Sequence, residues 1–132
     1  MSTIFSKIIK GEIHCHKVAE NDLFLAFLDI SPNSIGHTLC IPKVEVDDIL
    51  DLDKQTYKEL MFFCRKVAKS IKKVISCRKI AISVIGLEVP HVHVHIIPIN
   101  TMEDADFSNK LTLSDSDFKK TATLISNSFN SL

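Results

Sequence analysis

Hydrophobic and polar positions along this chain recur with two different periods, and the periods predict the elements. Leu23 to Leu28 is apolar throughout and bounded by Asn21-Asp22 and by Asp29 to Asn33, which predicts a buried strand. Ser31-Pro32-Asn33-Ser34 reads as a turn, and Ile35 to Ile41 as the next strand, ended by Pro42. From about Lys54 to Ile75, the residues Tyr57, Leu60, Met61, Cys64, Val67, Ala68, Ile71, Val74 and Ile75 fall on one helical stripe. Asp53 is placed as its N-cap, and Leu52 with Tyr57 has the spacing of a hydrophobic staple. The opposite face carries Lys58, Arg65, Lys66, Lys69, Lys72 and Lys73, a solvated face, but Phe62 lies among them and calls for a cover. Ile80 to Ile85 and His91 to Ile97 read as two strands joined by Gly86 to Pro90, an antiparallel hairpin. A short helix over Thr3 to Lys10 is opened by Ser2 or Thr3 and closed by Gly11. A last helix starts near Ser114, with Asp117 at capping-box spacing, and runs to about Phe129 on Phe118, Ala122, Leu124, Ile125 and Phe129. The mixed order predicts an α+β fold: an antiparallel β-sheet with one long packed helix and short N- and C-terminal helices.

A length of 132 residues fits a single domain, with its core over 3–100 and a C-terminal extension with a helix over 101–132. Hydrophobic residues make up 45% and charged residues 24%, the balance of a globular rather than a disordered chain. Sixteen basic residues offset sixteen acidic ones, so no net field draws the protein to nucleic acid or to an anionic membrane. The apolar runs are far shorter than the ~18 residues of a membrane span. Lys7, Lys10 and Glu12 interrupt the first segment, so no secretory signal core is expected and the expected location is cytoplasmic. Cysteines 15, 40, 64 and 77 include no C-x-x-C pair and read as reduced thiols.

The candidate chemistry is concentrated in His91-Val92-His93-Val94-His95. In a strand, residues two apart share a face, so the three imidazoles would project together, exposed, while Val92, Val94 and Ile96 enter the core. Two readings follow. Three histidines on one face can ligate zinc and leave an open position. Alternatively, one imidazole acts as a nucleophile, tuned and oriented by the other two. Spacing alone does not separate them.

The remaining motifs do. Gly36-His37-Thr38-Leu39-Cys40-Ile41-Pro42, Phe27-Leu28-Asp29-Ile30-Ser31-Pro32 and Thr3-Ile4-Phe5-Ser6-Lys7-Ile8-Ile9, in order with H-x-H-x-H, resemble the histidine triad (HIT) family of nucleotidyl hydrolases and transferases. The nearest branch is similar to the Hint-type nucleoside phosphoramidases. The resemblance implies His93 as the nucleophile on the α-phosphorus and His95 as the phosphate contact that assists the leaving group. A protonated His95 would supply both charge and a proton. It implies His91 and His37 as supports for the nucleophile, and Asp29 as the acceptor of the ribose hydroxyls. Ile4, Phe5, Ile8, Phe27, Ile30 and Leu39 would wall the base, with Gly86, Glu88 and Val89 near the phosphate. It further implies a homodimer, a purine nucleotide substrate, and neither metal nor cofactor. The run Gly86-Leu87-Glu88-Val89-Pro90 departs from the family pattern, because Leu87 and Glu88 replace phosphate-contacting polar residues. The competing classes are a zinc-binding protein using His91, His93 and His95, and a non-catalytic nucleotide-binding adaptor.

Overall fold

The structure, a computed structural model, describes residues 3–132. Its sheet has five antiparallel strands, β1 (Lys17–Glu20), β2 (Phe24–Leu28), β3 (Thr38–Pro42), β4 (Lys79–Ser83) and β5 (Val94–Ile99), in the spatial order β1-β2-β3-β5-β4. The helices are α1 (Ile4–Ile9), α2 (Lys54–Val74) and α3 (Asp115–Asn130). This is the expected α+β arrangement around an antiparallel sheet, with α2 the longest helix and α3 spanning 16 residues.

Alternation along the central strands sends side chains to two faces. Phe24, Ala26, Leu28, Cys40, Val94 and Ile96 meet α2 and α3 through Leu60, Phe63, Cys64, Val67, Ile71, Phe118, Ala122 and Ile125. Leu25, Phe27, Leu39 and Ile41 form a smaller cluster on the other face with Phe5 of α1. Both faces are covered, so β2 reads as an unbroken apolar run rather than an alternating one. All four cysteines are free thiols. Burial and the neighbouring Cys64 push the Cys40 thiol well above its ordinary range.

The caps follow the sequence. Asp53 accepts from the Thr56 amide, Ser114 from the Asp117 amide, and Thr3 from the Ser6 amide. Gly11 follows α1 with φ +79°, a conformation that favours glycine. The Ser2 alternative for the first cap lies outside the described residues. Phe62 is exposed on α2, as its place among the lysines implies, but Tyr57, assigned to the apolar stripe, is exposed as well. Phe63 and Ser70, which the stripe omitted, are buried.

Strand limits need correction. β1 was not expected: four residues give too short a pattern, although Val18 and Ala19 are both buried. Leu23 is exposed, because Asn21 Oδ1 accepts the amides of Leu23 and Phe24 in a turn that delays the strand by one residue. The predicted strand from Ile35 begins only at Thr38, because Gly36 turns the chain at φ +96°. A Cβ there would also lie 3.2 Å from Ile75 and 3.3 Å from Pro98, so those side chains would have to give as well. β4 and β5 do pair, but the connection spans residues 84–93 rather than 86–90, so His91 and His93 lie ahead of the strand.

Candidate active site

The register of β2, β3, β5 and β4 lays Phe27 beside Leu39, Leu39 beside His95, and His95 beside Ser83. Phe27, Leu39 and His95 of this row floor a cleft of about 510 Å³. α1 supplies one wall through Ile4, Phe5 and Ile8, the end of β2 supplies Asp29 and Ile30, and Gly86, Glu88 and Val89 come from the loop after β4. His93 and His95 face the same cleft. Every residue expected to touch substrate therefore lines one cavity.

His91 and His37 do not line it. His91 is fully buried, and its ring nitrogens face the Pro42 carbonyl at 2.8 Å and Thr3 Oγ1 at 3.4 Å. The three imidazoles are buried rather than exposed: His91 and His93, in the connection, pack against Phe5 of α1, and His95 packs against His37 and Phe107. The His91 support for His93 comes from its backbone: the His91 carbonyl accepts from His93 Nδ1 at 2.8 Å. His37 orients His95 instead of the expected nucleophile.

These partners assign the tautomers. A carbonyl only accepts, so His93 Nδ1 carries the proton and its Nε2 keeps a free lone pair. A backbone amide only donates, so the Asn33 N–H, 2.9 Å from His37 Nδ1, leaves the His37 proton on Nε2. That proton is donated to His95 Nδ1 at 3.0 Å, which leaves His95 Nε2 as its proton-bearing nitrogen. The His93 and His95 rings stand edge to face, 5.2 Å apart. Phe5 packs on His93 at 4.9 Å between ring centres and holds its plane.

Burial first, then His93 and Lys110, lowers the His95 pKa to about 4. Burial, then His95 and Lys110, lowers that of His37 to about 3. Both rings are neutral near pH 7, so the protonated His95 expected from the sequence is replaced by a neutral N–H donor. Burial pushes the Asp29 carboxyl up, against the Ser31 amide and the nearby Lys110. Asp29 Oδ1 accepts the Ser31 amide, and Oδ2 lies 3.6 Å from His37 Nε2.

The geometry does not favour a zinc ion on His91, His93 and His95, since both nitrogens of His91 and one of His93 have other partners. Asp29, His37 and His95 do bring ligand atoms within 4.8 Å, but there the His37–His95 hydrogen bond occupies the ring nitrogens.

Three contributors were missed: Phe107 and Lys110 lie far from the motifs, and Asn33, which lies between two of them, acts through contacts across the fold. Asn33 was assigned only to a turn, yet it is buried and its side chain donates to the Asp104 carbonyl and accepts from Lys110 Nζ at 2.8 Å. Lys110 and Phe107 line the cleft from the segment before α3. Phe107 packs edge-on against His95 at 4.7 Å, and Lys110 lies over its ring. The acidic loops nearby gave that segment no distinguishing pattern.

A HIT domain model matches residues 10–102. The chain is 37% identical to an uncharacterized HIT-like protein of Borreliella burgdorferi, across 93% of this chain and 95% of that one. It is 41% identical to the adenosine 5'-monophosphoramidase hnt1 of Schizosaccharomyces pombe, across 74% of each. A crystal structure of a Hit-like protein from Bartonella henselae superposes with a TM-score of 0.86 at 31% identity, across 96% of both chains. With the family model spanning most of the chain and these relatives aligned along it, the chain belongs to the histidine triad family.

Proposed function

We propose that this protein hydrolyses a nucleoside 5'-monophosphate linkage, with a purine nucleoside phosphoramidate such as adenosine phosphoramidate as substrate, through a nucleotidyl intermediate on His93. The observation that carries this reading is the tautomer pattern: one cleft holds a free lone pair on His93 and an N–H on His95. The related phosphoramidase of Schizosaccharomyces pombe supports the choice of bond.

In the first step His93 Nε2 attacks phosphorus, and a P–N bond to His93 forms as the bond to the leaving amine breaks. The amine keeps the electron pair and takes a proton from solvent. The imidazole becomes cationic, and the His91 carbonyl, accepting from Nδ1, stabilises that charge as it develops. His95 Nε2–H donates to a phosphoryl oxygen. Water then attacks the same phosphorus, releases the proton to solvent and returns the electron pair to His93. Asp29 accepts the ribose hydroxyls, and the apolar walls of α1 and β2 hold the base.

The protein works as a homodimer on this reading. β4 is a sheet edge with no outer partner among the described residues, and it exposes Ile82, while Phe62 is exposed on α2.

His93→Ala should lower turnover by several orders of magnitude while nucleotide still binds, because base and ribose contacts lie elsewhere. Mass spectrometry after brief mixing with adenosine phosphoramidate should find an adenylyl group on His93. Activity within about tenfold of wild type would overturn the nucleophile assignment.

A further inference from the structure

A second cluster of ligating side chains lies beside the cleft but takes no part in the reaction. His14 and His16 flank Cys15 just before β1, and Asp115 opens α3. Their ligand atoms all lie within 4.8 Å of one another. We propose that His14, His16 and Asp115 bind a divalent transition-metal ion of the zinc type, which clips the segment before β1 to the start of α3.

His16 Nε2 lies 3.6 Å from Asp115 Oδ1. That is too long for a hydrogen bond, and close to the ~3.4 Å between ligand atoms of a tetrahedral zinc ion with bonds near 2.1 Å. The His16 ring is held in place, stacked on Phe118 with centres 5.1 Å apart and planes within 13°. His14 packs on His16 edge to face at 5.0 Å, with its ligand atom within 4.8 Å of those of His16 and Asp115. Asp115 is also prearranged. Lys119 holds its other oxygen, Oδ2, at 3.0 Å and leaves Oδ1 directed at His16. Lys119, followed by the two histidines, keeps that carboxyl below its ordinary range.

Two imidazoles with one carboxylate suit zinc and its neighbours in the transition series. Calcium and magnesium prefer oxygen ligands throughout. Exposure of His14 and Asp115 leaves the fourth position to water. Ile13, His14 and Cys15 also line the cleft, so the ion would fix one of its walls.

The test uses untagged full-length protein and zinc ion alone, titrated in competition with a chromophoric chelator, with Tm followed in parallel. The wild type should take up one saturable equivalent and gain Tm. His14→Ala and Asp115→Asn should each weaken that equivalent at least tenfold and abolish the gain. Both side chains are exposed, so the Tm without zinc should stay near wild type for His14→Ala, which serves as the folding control. His93→Ala should bind zinc as the wild type does. The proposal is overturned by a wild-type Kd weaker than about 100 µM, or by a zinc equivalent that survives both substitutions.

Discussion

One carbonyl decides which nitrogen of His93 keeps its lone pair, and that carbonyl belongs to the histidine two residues earlier. The H-x-H-x-H spacing is therefore meaningful in a way that strand alternation did not convey. Alternation correctly sent Val92, Val94 and Ile96 to the core, but it treated His91 and His93 as parts of a ladder they do not join. Lys110, Phe107 and Asn33 were illegible for a different reason: each acts through a contact across the fold, and nothing in its local pattern marks it. Glu88 lies between these cases. The sequence flagged it as a departure, and it is an exposed residue on the rim of the cleft, close enough to act on Asp29 electrostatically. An ionised carboxylate cannot donate to phosphate and repels an anionic leaving group, by about 1 kcal/mol at ~4 Å under solvent-like screening. Glu88→Ser should accordingly raise kcat/KM for dinucleoside polyphosphates relative to phosphoramidates. Parallel kinetics on both substrates decides it, and equal changes in the two would remove Glu88 from the specificity argument.

Between the elements, the turn before β3 and the strand β5 are joined by the His37–His95 hydrogen bond, and the neutrality of both rings links that join to pH. An unfolded histidine titrates near 6.5, whereas these two hold out to about 3 and about 4 in the fold. The unfolded chain thus binds more protons as pH falls below about 6.5, and the native state loses stability across that window, down to the folded values. Each ring contributes at most about 1.4 kcal/mol per pH unit. The raised carboxyl of Asp29 works in the opposite sense at the acid end. Thermal unfolding between pH 7 and 4 should show Tm falling on the acid side. His95→Gln should make that fall shallower, and an unchanged slope would mean that His95 is not a buried neutral ring. The long helix was legible because its pattern repeats over many turns, and Asp53 marked its start. The strand limits were less so, because hydrogen bonds from Asn21 and the turn at Gly36, rather than hydrophobicity, set where pairing begins.

On the scale of the whole molecule, the segment beyond residue 100 completes both faces of the sheet. α3 contributes Phe118, Ala122 and Ile125 to the larger core, and Ser128 Oγ donates to the Ser70 carbonyl of α2. The chain before it supplies Phe107 and Lys110 to the cleft. The sequence showed the helix and its cap but not this double attachment, since the polar stretch between Asn100 and Ser114 has no period to read. Assembly was legible only as an exposed Phe62, to which the fold adds the open edge of β4 and Ile82. If two copies meet there, Ile82→Lys should turn a dimer into a monomer in sedimentation velocity, because an edge lysine opposes strand pairing. A dimer that persists in that variant would place the interface elsewhere.

The Asn33 amide that opens the chain of hydrogen bonds to His95 belongs to the main chain and has no second protonation state to offer. It works as a rectifier. Two chemically identical rings are assigned opposite polarity, and neither can trade roles with the other while the turn at Asn33 and the carbonyl of His91 stay where they are. The instruction that distinguishes giver from receiver is therefore stored outside the imidazoles, in two peptide groups far apart in sequence. Grafting the five-residue histidine run onto another scaffold would carry over the side chains and leave that instruction behind.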